Sequence, residues 1–93
     1  MPAGPPDTPV EMAVDGVLDL HTFSPRDVKD LIPDYLLACR ERGIRSVRII
    51  HGKGTGALRA TVHALLARSP LVASFRPADT DAGGWGATLV ELR

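Results

Sequence analysis

One turn of the sequence combines glycine with positive charge and is suited to bind an anion. His51-Gly52-Lys53-Gly54-Thr55-Gly56 follows a strand-like segment and precedes a helix-like one. Backbone N–H groups at a helix N-terminus bind phosphate, and glycine lets a ligand approach the main chain closely. Lys53 adds a positive charge, and Arg59 in the first helical turn is placed to form paired hydrogen bonds to phosphate oxygens. The spacing predicts a phosphate site, whereas a tight turn that only needs glycine is the simpler alternative.

Two histidines end predicted strands close to this turn. If the strands that end at His21 and His51 are parallel neighbours, both imidazoles emerge at the same edge of the sheet, where open α/β sheets bind ligands. Imidazole changes its charge near neutral pH, so the pair is suited to general acid and base roles, with His51 preferred and His21 its partner. Asp19 shares a strand face with His21 and is placed to orient that ring or to contact a divalent cation. For either histidine alone, a hydrogen-bonded residue at a strand end is the simpler alternative.

Three other features have competing interpretations. Gly83-Gly84-Trp85-Gly86 precedes the last predicted strand and is placed to stack a base on the indole, although Trp85 as a lid on the core is favoured. His63 lies one helical turn after Arg59 and is predicted to face solvent, without a catalytic role. Cys39 falls on the apolar stripe of a helix and is predicted to be core.

Hydrophobic periodicity predicts the elements that position these residues. Strands are expected at residues 17–21, 46–51, 71–76 and 87–92. A first helix is expected from a Ser24 N-cap to Gly43, with a bend near Asp30 because Pro33 lacks an amide donor. A second helix begins near Ala57 or Leu58. The order βαβαββ predicts an α/β fold, an α+β two-layer sandwich in which two main helices cover a mixed four-stranded sheet.

Length and composition favour one small domain without covalent or metal cross-links. The chain has 93 residues and one cysteine, so we expect neither a disulfide nor a cofactor required for folding. Residues 1–16 are rich in proline and are predicted to be a flexible or extended leader, and residues 17–93 the domain. No segment matches a membrane span or a secretory signal, which predicts a cytoplasmic protein without a membrane partner.

The charges are unevenly distributed along the chain. The formal net charge is zero, but residues 40–68 contain seven basic residues and one acidic residue, a net charge of +6. Such a segment is compatible with a local surface that faces phosphate. Charges scattered over helix and strand exteriors are an equally good explanation.

Three motifs together resemble the Smr domain, the small MutS-related domain, and in particular its stand-alone type. The resemblance spans roughly residues 17–92 and rests on the order of these segments: Leu18-Asp19-Leu20-His21, His51-Gly52-Lys53-Gly54-Thr55-Gly56 with Leu58-Arg59, and Gly83-Gly84-Trp85-Gly86-Ala87-Thr88. It implies a two-layer βαβαββ domain that associates with DNA or RNA, often as an endonuclease. The family's LDLH aspartate and histidine correspond to Asp19 and His21, and its HGxG residues to His51, Gly52 and Gly54. Thr22 stands where many members have glycine.

Three functions follow as hypotheses. The first is cleavage of a DNA or RNA phosphodiester bond, with His51, His21 and Asp19 at the reacting phosphate and with Mg²⁺ or Mn²⁺ as a candidate metal at Asp19. The second is a nucleic-acid-binding module that positions a partner and performs no chemistry. The third is binding of a small phosphorylated metabolite.

Overall fold

A computed structural model of the chain describes residues 14–52, 56–78 and 86–93. Lys53, Gly54, Thr55, Gly84 and Trp85, all predicted to contact the ligand, lie outside these ranges. The described elements are β1 (Val17–Asp19), α1 (Pro25–Glu41), β2 (Ser46–Ile50), α2 (Ala57–Arg68), β3 (Val72–Pro77) and β4 (Ala87–Leu92). Neither described helix is long and apolar enough to cross a membrane.

The four strands form one mixed sheet in the order β1-β2-β4-β3. β1 and β2 pair in parallel, with Asp19 opposite Ile50, and β4 runs antiparallel to both β2 and β3. The predicted fold class, the element order and the parallel pairing of the first two strands are therefore confirmed. The parallel pair places the carboxyl ends of β1 and β2 at the same edge of the sheet.

Both helices and one face of the sheet share a single apolar core. Alternate strand residues point into it, including Leu18 of β1, Ile49 of β2 and Val90 of β4, which are all fully buried. The helices contribute the stripes that their spacing predicts; the buried members are Val28, Ile32, Tyr35, Leu36 and Cys39 of α1 and Val62 and Leu66 of α2. α1 and α2 also contact each other. The core is thus a two-layer packing of helices on a sheet.

α1 begins where the sequence places it, but its N-cap works differently from the expected one. Ser24 is the N-cap and Pro25 the first helical residue, yet the Ser24 hydroxyl donates to the Asp27 carboxylate at 2.9 Å and caps no backbone N–H group. The N–H group of Asp27 donates to the carbonyl of Ser24 at 3.0 Å. Pro33 lies inside a helix that is assigned without interruption from Pro25 to Glu41.

The N-terminal side of β1 is fixed by a buried phenol. Tyr35 of α1 accepts a hydrogen bond from the Gly16 N–H group at 3.1 Å and donates to the Val17 carbonyl at 3.1 Å. Burial raises the pKa of the Tyr35 hydroxyl above its ordinary value of 10.0. Val14, which the sequence assigns to the leader, packs against the core. The packed structure therefore includes the last residues before β1.

Candidate active site

β1 ends two residues earlier than the sequence predicts, and the cause is a carboxylate. The N–H group of Leu20 still donates to the Ile50 carbonyl at 2.9 Å, but the N–H group of His21 donates to the Asp19 side chain at 2.9 Å. This local bond between a side chain and the backbone turns the chain out of the sheet. It also brings the His21 ring within hydrogen-bonding distance of the Asp19 carboxylate.

Asp19 and His21 form a hydrogen-bonded pair at the surface. Nδ1 of His21 lies 2.6 Å from Oδ1 of Asp19, and the two side chains are 65% and 55% exposed, respectively. The backbone N–H group of His21 lowers the pKa of Asp19 below 3.8, and the hydrogen bond from the His21 ring lowers it further. Because Asp19 is ionised, it accepts the hydrogen on Nδ1 and leaves Nε2 as the ring nitrogen without a described partner.

Nε2 of His21 faces the start of the glycine-rich turn. A Cβ atom built on Gly52 would lie 3.6 Å from it, and Gly52 has a φ of +77°. Glycine is favoured at this φ, which side chains of L-residues rarely allow. The strand ends thus bring His21 and Gly52 together at the edge that the sequence predicts.

Thr22 takes the family's glycine position without backbone strain. Its side chain is exposed, and no residue other than glycine has a positive φ in residues 14–52, 56–78 and 86–93. A threonine there needs no conformation reserved for glycine.

His51 lies inside the molecule rather than at its surface. His51 is only 6% exposed. Its Nδ1 lies 2.9 Å from the Gly52 carbonyl oxygen, and its Nε2 lies 2.9 Å from the Thr88 hydroxyl oxygen. Both ring nitrogens are therefore occupied by protein atoms. Of the two histidines, His21 therefore has the exposed side chain and His51 the buried one.

His63 is half-buried rather than fully solvent-facing as predicted. The sequence predicts a solvent-facing ring, but Nε2 lies 2.8 Å from the Thr88 hydroxyl, and the ring packs on Phe75 with centroids 5.2 Å apart. Burial lowers the pKa of His63 below 6.5, and the nearby charge of Arg59 lowers it further. The sequence carries only a weak signal of this: His63 precedes the buried Leu66 by three residues and so lies beside the apolar stripe.

Thr88 is a second residue at the site to which the sequence analysis assigned no role, although it ends the third motif. It is fully buried and joins the rings of His51 and His63. The strand alternation carried a signal, because Thr88, Val90 and Leu92 share one buried face and Thr88 is its polar member.

The turn is held by the carbonyl of Gly86, one of the predicted ligand contacts. That carbonyl accepts from the N–H groups of His51 at 3.0 Å and Gly52 at 2.8 Å. Gly86 thus contributes a backbone acceptor to the base of the turn.

The helix that follows the turn, α2, begins at Ala57, and its N-cap, Gly56, has a φ of +90°. No acidic residue lies in the first turn of α2, and Arg59 is half-buried there. The positive end of the helix dipole and the Arg59 charge therefore both favour an anion at this helix N-terminus, and the first turn of α2 contains no carboxylate that would offset them.

The described residues do not form a recognisable metal site. No group of three or more His, Cys, Asp and Glu side chains is arranged to hold an ion within the described part of the chain. At the site, Asp19 is the single carboxylate among the residues described, and its Oδ1 already accepts two hydrogen bonds from His21. Asp19 alone does not form a ready-made cage for Mg²⁺ or Mn²⁺ among the described residues.

The chain is similar to known proteins in sequence. The family model of the Smr domain matches residues 18–93. The Endonuclease MutS2 of Caldicellulosiruptor saccharolyticus is 42% identical over 83 residues, which are 89% of this chain and 10% of that protein. The chain spans about a tenth of the length of the curated relatives that it matches, such as those of Caldicellulosiruptor saccharolyticus and Halothermothrix orenii.

Two solved structures share the fold. The Smr domain of Thermus thermophilus MutS2 superposes with a TM-score of 0.80 at 35% identity, covering 85% of this chain and 99% of that one. YdaL, described as a stand-alone small MutS-related protein from Escherichia coli, gives 0.78 at 27% identity, covering 84% and 64%. The family match begins at Leu18, the first buried residue of β1, and runs through the end of the sheet. The chain therefore belongs to the Smr domain family.

Proposed function

We propose that this domain binds nucleic acid at the edge where β1 and β2 end, and that it cleaves a phosphodiester bond there with His21 as the general base. The observation that carries the proposal is the His21 ring: Nδ1 is held by Asp19 at 2.6 Å, and Nε2 faces Gly52 at the surface. Relatives named Endonuclease MutS2 support the same class of reaction.

Phosphate binding is assigned to the turn and to the first turn of α2. Gly52 and Gly56 have the positive φ angles that a glycine turn allows, and Arg59 supplies a guanidinium within the first helical turn. Lys53, Gly54 and Thr55 complete this assignment from the sequence alone. A phosphate there would meet the positive end of α2 and the Arg59 side chain together.

The chemistry requires one proton acceptor close to the reacting phosphate. The lone pair of Nε2 takes a proton from the attacking oxygen, which is a water or, in RNA, the 2′-hydroxyl group. The oxygen then bonds to phosphorus while the bond from phosphorus to the leaving oxygen breaks. The leaving oxygen takes a proton from water, and the His21 imidazolium returns its proton to the hydroxide that remains. The Asp19 carboxylate stabilises the imidazolium that forms, and the positive charge of Arg59 offsets the charge that develops on the phosphate.

His51 receives a different role in this proposal. Because both of its ring nitrogens are bonded inside the protein, we assign His51 to holding the turn rather than to proton transfer. Its Nδ1 holds the Gly52 carbonyl, and Gly52 is the residue that faces His21.

A binding module without chemistry is the second candidate, and one observation favours it. Only one of the two histidines assigned from the sequence has its ring at the surface, so a two-histidine mechanism lacks its second member. Such a module would use the same turn and Arg59 to hold the phosphate backbone and would leave cleavage to a partner.

A cleavage assay on labelled single- and double-stranded DNA and RNA separates the two candidates. We expect the wild type to cleave at least one substrate, His21→Ala to lose that activity, and both proteins to bind with similar Kd. Leu37→Ala, at an exposed position of α1, is the control that should cleave like the wild type. Parallel reactions with Mg²⁺, Mn²⁺ and chelator report metal dependence. Binding without cleavage by the wild type would favour the second candidate, and unimpaired cleavage by His21→Ala would contradict the first.

A further inference from the structure

A chain of hydrogen bonds runs beneath the turn from α2 to Gly52. His63 of α2 contacts the hydroxyl of Thr88, which also contacts His51, and His51 contacts the Gly52 carbonyl. The three distances are 2.8, 2.9 and 2.9 Å, all within the normal range for hydrogen bonds. The two histidine rings also lie edge to face, with centroids 6.2 Å apart.

The donor and acceptor of all three hydrogen bonds follow from the Gly52 carbonyl at one end of the series. A carbonyl oxygen has no hydrogen, so Nδ1 of His51 must donate to Gly52. In neutral His51, Nε2 is then an acceptor, and the Thr88 hydroxyl donates its single hydrogen to it. The hydroxyl oxygen can only accept from the other side, so Nε2 of His63 must carry a hydrogen.

We propose that Thr88 and His63 are positioning residues, which support the Nδ1–H tautomer of His51 that the Gly52 carbonyl selects and so hold the Gly52 peptide in place beside Nε2 of His21. Burial supports the arrangement: Thr88 is fully buried and His51 is 6% exposed, so solvent is a poor substitute for either partner. The burial of His63, together with Arg59 and His51, also lowers its pKa and favours the neutral ring, in which Nε2 is then the single nitrogen that carries a hydrogen.

Hydrogen bonds hold both the N–H group and the carbonyl of Gly52. Its N–H group donates to the Gly86 carbonyl at 2.8 Å, and its carbonyl accepts from His51 at 2.9 Å. Gly52 cannot rotate its peptide groups without breaking one of these bonds. The consequence for catalysis rests on the proposed function, since it requires the Gly52 turn to hold the reacting phosphate.

The tautomers can be measured directly by long-range ¹H–¹⁵N correlation spectra of the protein labelled at histidine. At pH 7.5, we expect His51 to carry its hydrogen on Nδ1 and His63 on Nε2. Thr88→Val should turn His63 into a mixture of tautomers, and Thr88→Ser should restore the wild-type pattern because it keeps the hydroxyl. A hydrogen on Nε2 of wild-type His51, or an unchanged His63 tautomer in Thr88→Val, would overturn the inference.

Amide exchange tests the effect on the turn. In Thr88→Val, we expect exchange of the Gly52 amide to be about tenfold faster, while the Leu20 amide, which bonds to Ile50, changes less. Thr61→Val is the matched control, because its hydroxyl bonds only within α2, to the Ala57 carbonyl at 3.2 Å. Equal acceleration of the Gly52 and Leu20 amides would indicate general destabilisation and overturn the positioning role.

The same variants separate this inference from the proposed function. If the wild type cleaves nucleic acid, Thr88→Val should lower kcat roughly tenfold with KM changed less than threefold, and Thr88→Ser should recover most of the loss. An unchanged kcat in a folded Thr88→Val protein would count against the positioning role. Failure of the wild type to cleave would reject the nuclease proposal, whereas the tautomers and amide exchange would still decide this inference.

Discussion

The pairing of Asp19 with His21 makes a definite prediction at the scale of single residues. Asp19→Asn removes the charge that stabilises a protonated His21, so we expect cleavage to fall roughly 10- to 1,000-fold. The Kd for oligonucleotide should stay constant or decrease, since a negative charge is removed beside the phosphate. Single-turnover cleavage and fluorescence anisotropy measure the two effects. Asp34→Asn, an exposed carboxylate on α1, is the matched control and should behave like the wild type; equal losses in both variants would contradict the assignment.

His63 predicts how stability depends on pH. Its pKa is lowered in the folded state, chiefly by burial, so the unfolded chain binds a proton first as the pH falls below 6.5. The free energy of unfolding should therefore decrease from about pH 6.5 downward until the folded-state pKa is passed. Urea unfolding at several pH values should show a smaller decrease for His63→Gln than for the wild type. Identical pH profiles for the two proteins would show that burial does not affect His63 as inferred.

The sequence was informative about single residues wherever one element decides their environment. Asp19 and His21 lie together as their spacing predicts, and Cys39 lies on a helix stripe, so their places followed from local spacing. His63 did not, because its environment depends on β4, which brings Thr88 from 25 positions further along the chain. No local pattern on α2 contains that information.

At the scale of elements, β4 decides how the site is built. It lies between β2 and β3, so Thr88 faces Ile49 across the ladder and Gly86 meets the end of β2. Periodicity predicted the helices and strands, and the right-handed crossover rule predicted that β1 and β2 are parallel. Ser24 is the N-cap of α1 as predicted, but its side-chain bond and the end of β1 differed from prediction because side chains formed local hydrogen bonds that spacing does not reveal.

Two glycines at element junctions provide a matched pair of substitutions. Gly43 follows α1 with a φ of +79° and open space where a Cβ would lie, so Gly43→Ala should cost about 1 kcal/mol of unfolding free energy. Gly16 has a φ of +95°, and a Cβ would lie 3.2 Å from the Ser46 carbonyl oxygen, so Gly16→Ala should cost about 2–3 kcal/mol. Urea unfolding measures both. A larger loss for Gly43→Ala would show that contact with β2 does not limit the Gly16 junction.

At the scale of the whole molecule, the formal net charge is zero, but positive charge is concentrated in residues 40–68. If phosphate binds at the start of α2, the position of a positive charge along that helix should affect oligonucleotide binding more than the total number of positive charges does. Arg59→Ala should weaken oligonucleotide binding and lower the slope of log Kd against log salt by about one. Arg68→Ala removes the same charge from the exposed last turn of α2 and should change the slope less. Equal effects would indicate a diffuse electrostatic attraction.

The most direct test of the account is to map the nucleic-acid contact on the folded domain. In ¹H–¹⁵N spectra recorded during titration with a short oligonucleotide, we expect the largest shifts at His21, Gly52 and the amides of residues 56–59. These residues surround the edge where β1 and β2 end and α2 begins. Shifts confined to the sheet face opposite the helices, around Arg48 and Leu89, would contradict the central claim that this edge is the ligand site.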